Sequence, residues 1–225
     1  MEPEAAIGIP QGDDGIMVIT GGQGIYDEYH EVSEYLGIPM DKVRIRSAWV
    51  GGGFGAKQEV VTEDICAFAT LKTGRPVQLE YTREEQFLGA TTRHPMKIRV
   101  KVGAKRDGTL TAIQLRIVSN TGAYGTHGGS TLFHSTGESV SVYRCRNKKI
   151  DAFAVYTNMV PAGAFRGYGL SQTIFAVESA MDELARSLNM DPFEFRHRNV
   201  IRPGDPMSSL DWGSHDVDYG SYGLE

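Results

Sequence analysis

Apolar residues recur along this chain with two periods, and the switches between them divide it into strands and helices. Residues 2–7 read as the middle of a strand region, and residues 15–20, Gly-Ile-Met-Val-Ile-Thr, as a short apolar strand. Ile25, Tyr29, Val32 and Leu36 fall on one face of a helix, which Gly37 and Pro39 stop. Residues 42–47 alternate Val43/Arg44/Ile45/Arg46, the pattern of a half-buried strand. A second helix is predicted from near Lys57 to Gly74, with Val60, Val61, Ile65, Phe68, Ala69 and Leu71 along it, and Cys66 in its apolar stripe. A third strand follows at residues 76–81. Residues 97–102 and 110–118 flank Arg106-Asp107-Gly108-Thr109, an Asp-Gly hairpin signal. Residues 120–141 are rich in Gly, Ser, Thr and His and hold no period, so they are expected to form a mobile functional loop. A strand at residues 150–156 leads to a helix at 171–188 with Ile174, Val177, Met181, Leu184 and Leu188 on one stripe. Asp191-Pro192-Phe193-Glu194 opens the last helix, with Asp as cap, Pro in the first turn and Glu three residues on. The order β-α-β-α-β, hairpin, β-α-α predicts an α+β (mixed α/β) fold, with mixed β-sheet layers and packed helices. Residues 1–207 are expected to form this domain. Residues 208–225 form a polar Gly/Ser/Asp-rich tail, expected to be poorly ordered.

At 225 residues the chain can bury a proper core. A net charge of −5 speaks against nucleic acid or an anionic membrane as partner. No apolar run approaches the ~18 residues a membrane helix requires. Met1-Glu2-Pro3-Glu4 lacks the character of a secretory leader. Two cysteines, Cys66 and Cys145, cannot supply four ligands to an iron–sulfur cluster or a closed zinc site. A reducing, cytoplasmic setting is expected.

Candidate chemistry concentrates in Gly51-Gly52-Gly53-Phe54-Gly55-Ala56-Lys57. Three consecutive glycines expose backbone N–H groups to close approach by a ligand. A helix start behind them would add amide donors and a positive dipole end, suited to an anion or a polarised oxygen. The plainer reading, a tight strand-to-helix turn, leaves the third glycine and the Phe unexplained. Two further loops share the arrangement: Gly21-Gly22-Gln23-Gly24 and Phe165-Arg166-Gly167-Tyr168-Gly169. Converging, the three could surround one large anionic cofactor, with Gln23 donating an amide hydrogen bond, Arg166 a fixed cation and Phe54 its N–H. Read singly, each has a bland alternative: Gln23 as a helix cap, Arg166 as an ion-pair partner, Tyr168 as core. A competing enzyme reading is a nicotinamide or flavin nucleotide site, since Gly51-x-Gly53-x-x-Ala56 matches the dinucleotide fingerprint and Glu80 ends the next strand. Against it, Arg44 and Arg46 alternate where a central parallel strand should be apolar on both faces. A non-catalytic interaction domain is the third alternative.

The glycine stretch, Ala164-Phe165-Arg166-Gly167-Tyr168-Gly169, the Gln23 loop, Leu36-Gly37-Ile38-Pro39, Arg93-His94-Pro95 and residues 196–203 occur in one order along nearly the whole chain. In these features the sequence resembles the molybdopterin-binding subunit of the xanthine dehydrogenase and aldehyde oxidase family. The resemblance implies a molybdenum hydroxylase that oxidises a C–H bond of a heterocycle or aldehyde with water-derived oxygen. Molybdopterin would be the cofactor, and electrons would pass to iron–sulfur and FAD partners on other chains or segments. It assigns Gln23, Gly53, Phe54, Gly55 and Arg166 to the cofactor shell, with no protein ligand to the metal. Tyr168 takes the place of a substrate-stacking aromatic, and Gln58 that of a substrate-orienting glutamate. Ser130 falls near the position of a substrate-polarising arginine. The family's general-base glutamate sits in a Gly-x-Gly-Glu segment, and no such segment occurs here. The implied object is therefore the first cofactor-binding half, inactive alone, with the missing second half as its first partner.

Overall fold

The computed structural model describes residues 2–203 and 205. These residues group into two compact units. Residues 2–93, 121–127 and 156–166 make the first; residues 94–120, 128–155 and the described residues from 167 onward make the second. The tail expected at residues 208–225 lies outside the described residues.

The first unit is built on a four-stranded sheet in the order β3-β2-β1-β4. Strand β1 (Ala5–Gln11) pairs antiparallel with β2 (Gly15–Thr20) and with β4 (Val77–Glu80). Strand β3 (Val43–Ser47) joins parallel to β2, which helix α1 (Ile25–Leu36) makes possible as the crossover. Helix α1 ends where the sequence predicts, with Gly37 left-handed at its C-terminus. Ile16, Val18, Val32, Cys66 and Ala67 are fully buried between sheet and helices. Burial of each larger aliphatic among them contributes about 1.5–3 kcal/mol. Helix α2 (Glu63–Thr73) crosses the sheet at Gly8, where a Cβ would lie 2.3 Å from Thr70 Oγ1 and 2.7 Å from the Cys66 carbonyl oxygen.

Two expectations for this unit are corrected. Helix α2 begins at Glu63, not near Lys57; residues 51–62 form turns and bends instead. Lys57 and Glu59 in that stretch are buried and make long-range hydrogen bonds, while Glu63 Oε2 accepts from the Val61 and Thr62 amides and stops the helix extending back. The buried face of α2 carries Glu63, Cys66, Ala67 and Thr70, whereas Ile65 and Phe68 are about half exposed. Helix α3 (Arg83–Gly89) was not expected; it is set by a capping box between Thr82 and Glu85.

The second unit holds a sheet in the order β5-β6-β7. Strands β5 (Met96–Ala104) and β6 (Leu110–Gly122) form the predicted hairpin, with Gly108 at φ 85° in its turn. Ile113, Leu115 and Ile117 project from β6 into a core completed by Val177, Met181 and Ala185 of α5 (Leu170–Ser187) and Phe195 of α6 (Pro192–Asn199). Strand β7 is Lys148–Tyr156. Asp191 Oδ1 accepts from the Phe193 and Glu194 amides, the cap the sequence indicates for α6. Residues 120–141 are not an irregular loop. They continue β6 to Gly122 and then form α4 (Gly128–Gly137). The face α4 buries carries Thr131, Leu132, Ser135 and Thr136, mostly hydroxyl residues, so hydropathy shows no period. Ser135 and Thr136 donate to the Leu132 and Phe133 carbonyls within the helix.

Candidate functional site

In the first unit the Gln23 loop and the glycine stretch are laced together. The Gln23 amide donates to the Lys57 carbonyl at 2.6 Å. Its side-chain Oε1 accepts from the amides of Gly55 at 2.9 Å and Lys57 at 3.4 Å. With that oxygen committed, Gln23 has its carboxamide NH2 to offer a ligand. Gly53 packs directly beneath: a Cβ there would lie 2.1 Å from Gln23 Oε1.

Phe54 follows with φ 53°, a left-handed conformation rare for an aromatic residue, and Gly55 continues at φ 88°. The pair turns the chain so that, among the described residues, no acceptor meets the Phe54 amide. A strained residue beside an unpartnered donor is a common mark of a ligand site. Gly55 sits against the third loop, where a Cβ would be 3.2 Å from the Phe165 nitrogen. The exposed Arg166 guanidinium lies 5.9 Å from the Phe54 ring centroid. The structure thus brings Gln23, Gly53, Phe54, Gly55 and Arg166 together in one unit, with Gln58 in the same turn. Tyr168 belongs to the second unit, at φ 44° between Gly167 and Gly169, both at φ 90°. There its ring meets His134 edge-on, 5.3 Å between centroids.

Lys57 is not a free cation. It is 2% exposed, and its Nζ lies 2.7 Å from Glu2 Oε1. The hydrogen bond from Lys57 holds the Glu2 carboxyl down to about 2. Sequence reasoning missed what lies under the loops. Glu63 Oε1 accepts from Thr20 Oγ1 at 2.5 Å, and Thr20 Oγ1 accepts from the Gly22 amide at 2.8 Å. Glu28 packs against Gly22 so closely that a Cβ there would be 1.7 Å from its Oε1. Among the described residues, both carboxyl oxygens of Glu28 and Oε1 of Glu4 are buried with no hydrogen-bond donor. Burial first, then the Glu63 charge, pushes Glu4 up to about 7 and Glu28 to about 8. No sequence signal marks these carboxylates: Glu28 occupies a helix face as any solvated residue could.

The geometry counts against a dinucleotide site. No helix starts behind residues 51–56, so their amides gain no helix dipole, and β3 before them is an edge strand. An open groove of about 680 Å³ lined by Ile25, Tyr26, Tyr29 and Met40 shares no residue with the glycine loops.

A surface that offers a backbone amide, a carboxamide and a guanidinium has the donor chemistry to meet an anion or a polarised oxygen. The chain belongs to the molybdopterin cofactor-binding domain family, whose profile matches residues 1–200. It is 40% identical over 206 residues to the xanthine dehydrogenase molybdenum-binding subunit of Escherichia coli O157:H7, an alignment that covers 91% of this chain and 27% of that protein. It is 35% identical to the nicotinate dehydrogenase large molybdopterin subunit of Eubacterium barkeri, covering 93% of this chain and 49% of that one. The aldehyde oxidoreductase of Desulfovibrio gigas superposes with a TM-score of 0.88 at 32% identity, over 92% of this chain and 23% of its own. The chain therefore spans between about a quarter and a half of these relatives. The mixed α/β fold and the family expected from sequence are both borne out.

Proposed function

We propose that this chain is the first cofactor-gripping portion of a molybdenum hydroxylase that oxidises a C–H bond of a flat heterocycle or an aldehyde. The observation that carries the reading is the convergence of Gln23, the unpartnered Phe54 amide and the exposed Arg166 on one glycine-walled surface. The residues fit molybdopterin. Gly53 and Gly55 let Gln23 and the Phe165 backbone pack directly on the glycine stretch, which brings the donors of the three loops close to one another. The donor set is neutral or cationic, as phosphate and metal-bound oxygen require.

When bound, molybdopterin supplies the metal that accepts two electrons as the substrate C–H bond is oxidised. The chain's own residues hold and orient. Gln23 donates its carboxamide N–H and Phe54 its backbone N–H to ligand oxygen, and Arg166 balances anionic charge. Gln58, in the turn that follows the glycine stretch, orients a flat substrate. Gln58 is neutral, so it can donate or accept at any pH but supplies no charge. Turnover of xanthine should therefore be weak beside that of another heterocycle or an aldehyde. The second half of the cofactor subunit, iron–sulfur and FAD modules, and a cytoplasmic setting complete the reading.

The test is metal, pterin and substrate analysis of the purified complete complex. It should contain molybdenum and pterin and prefer a substrate other than xanthine. Bound nucleotide in place of pterin overturns the cofactor assignment; xanthine oxidation equal to the best substrate overturns the role given to Gln58. Arg166→Ala should lower molybdenum occupancy at least ~10-fold, the scale of one charge-assisted hydrogen bond. Full metal content in that variant removes Arg166 from the shell.

A further inference from the structure

Arg166 is exposed, yet the backbone that carries it is gripped by a carboxylate from another loop. Glu59 is 8% exposed. Its Oε1 accepts from the Ala164 amide at 2.6 Å and its Oε2 from Thr91 Oγ1 at 3.1 Å. Gly163 permits this approach, since a Cβ there would lie 2.0 Å from Glu59 Oε1. The two residues before the grip are fixed separately: Ala162 donates to the Thr121 carbonyl, and Gly163 donates to that of Thr92. Beyond Ala164 two contacts reach the Arg166 segment. Arg93 Nη2 donates to the Arg166 carbonyl at 2.8 Å, and its guanidinium lies 4.6 Å from the Phe165 ring centroid.

Resting on the function proposed above, we propose that Glu59 is a positioning residue for the cofactor. It fixes the Ala164-Phe165-Arg166 segment on the glycine stretch, so that Arg166 and the Phe54 amide address one ligand. The residue joins the two loops directly, being part of the turn that follows Gly51–Gly55 while holding the loop that carries Arg166. Ala164 is 1% exposed, so a lost acceptor leaves its N–H buried and unpaired. Such a group is costly, and the segment must shift to satisfy it. The shift displaces Arg166 without touching its side chain.

The test compares Glu59→Ala and Glu59→Gln in the complete enzyme. Glutamine restores both bonds, donating its NH2 to Thr91 Oγ1 and accepting from Ala164 through its oxygen. The alanine variant should lose at least ~10-fold in pterin and molybdenum content, with an altered molybdenum(V) paramagnetic resonance signal in the loaded remainder. The glutamine variant should stay within ~2-fold of wild type with an unchanged signal. In cofactor-free enzyme, tryptic cleavage after Arg166 should accelerate in the alanine variant and not in the glutamine variant. If Glu59→Ala does not accumulate as folded protein, Glu59→Asp replaces it; one methylene shorter, it should fail in the same way. Wild-type occupancy, signal and cleavage rate in the alanine or aspartate variant overturn the proposal. So does a glutamine variant as defective as alanine. Absence of pterin from the wild-type enzyme would sink the molybdenum reading, while the cleavage rates would still decide the role of Glu59.

Discussion

Gly53 and Gly55 stand two residues apart, and substitution of each should fail differently. At Gly53 an added methyl meets the end of the flexible Gln23 side chain at 2.1 Å, which can swing away. At Gly55 it meets the Phe165 backbone at 3.2 Å in a conformation, φ 88°, that L residues rarely adopt. Gly53→Ala should therefore change stability by less than ~1 kcal/mol yet lower molybdenum content, because it evicts Gln23 from the Gly55 amide. Gly55→Ala should cost about 1–3 kcal/mol in unfolding free energy as well. Calorimetry beside metal analysis separates them; a Gly53→Ala enzyme with full metal and Gln23 displaced would refute the role of Gln23. Gln23, Phe54 and Arg166 stand out in sequence as candidates because each interrupts or adjoins a run of glycines. Glu59 is not legible. It is one acidic residue among 28, and nothing but the folded chain brings it to Ala164.

Among elements, the helices with a wide apolar stripe or a clear cap, α1, α5 and α6, are readable from sequence. Those that bury small or hydroxyl side chains are not. Helix α4 presents Thr131 and Ser135 to the core, and α2 presents Cys66, Ala67 and Thr70 while Ile65 and Phe68 face solvent. Asn199 at the end of α6 shows what periodicity also misses. It is 2% exposed, accepts from the Leu110 amide, and donates to the Gly108 and Phe195 carbonyls, all at 2.8 Å. It thereby ties α6 to the β5–β6 hairpin. Asn199→Ala should cost about 2–4 kcal/mol, because buried backbone groups lose their partners, and should be read by denaturant unfolding. A change within ~0.5 kcal/mol would mean that water replaces the side chain.

The carboxyls beneath the first unit's loops give stability a pH dependence. Glu4 precedes β1, Glu28 lies on α1, and Glu63 opens α2. Folding raises Glu4 to about 7 and Glu28 to about 8 from an ordinary 4.5. The folded chain thus binds protons that the unfolded chain has released. Their contribution is complete below about 4.5 and is lost as pH rises through about 7 and then about 8. Glu2 acts in the opposite sense, but its loss comes only as pH falls toward about 2. The melting temperature should therefore fall between about pH 5 and about pH 9. Glu28→Gln, permanently neutral, should flatten that slope; an unchanged slope would place the titration elsewhere.

Taken whole, the chain should be unable to keep its cofactor alone. Gln23, Phe54 and Arg166 are all exposed on the first unit, with 59% of the Phe54 surface open to solvent. A pterin held only there keeps its far face hydrated, while its loss of translational and rotational freedom is undiminished. That cost is on the order of 4–15 kcal/mol and must be offset by contacts. The relatives that carry this domain are roughly two to four times as long, as coverages of 49% and 27% indicate. In the proposed enzyme, the further residues of the cofactor subunit would supply the opposing wall. The chemistry also needs a base to take the proton from the oxygen nucleophile. None of the residues given to the shell offers a basic site: Gln23 and Gln58 are amides, Phe54 offers an N–H, and the Arg166 guanidinium has donors and no acceptor. The 225-residue chain purified alone should therefore hold no molybdopterin after gel filtration. It should take up only a small anion at the Phe54 amide and Arg166, seen as amide shifts on phosphate titration, and show no dye-linked oxidation of aldehydes or purines. Stoichiometric pterin or measurable turnover from this chain would mean that the single unit completes the site, and would overturn its reading as one half of a shared one.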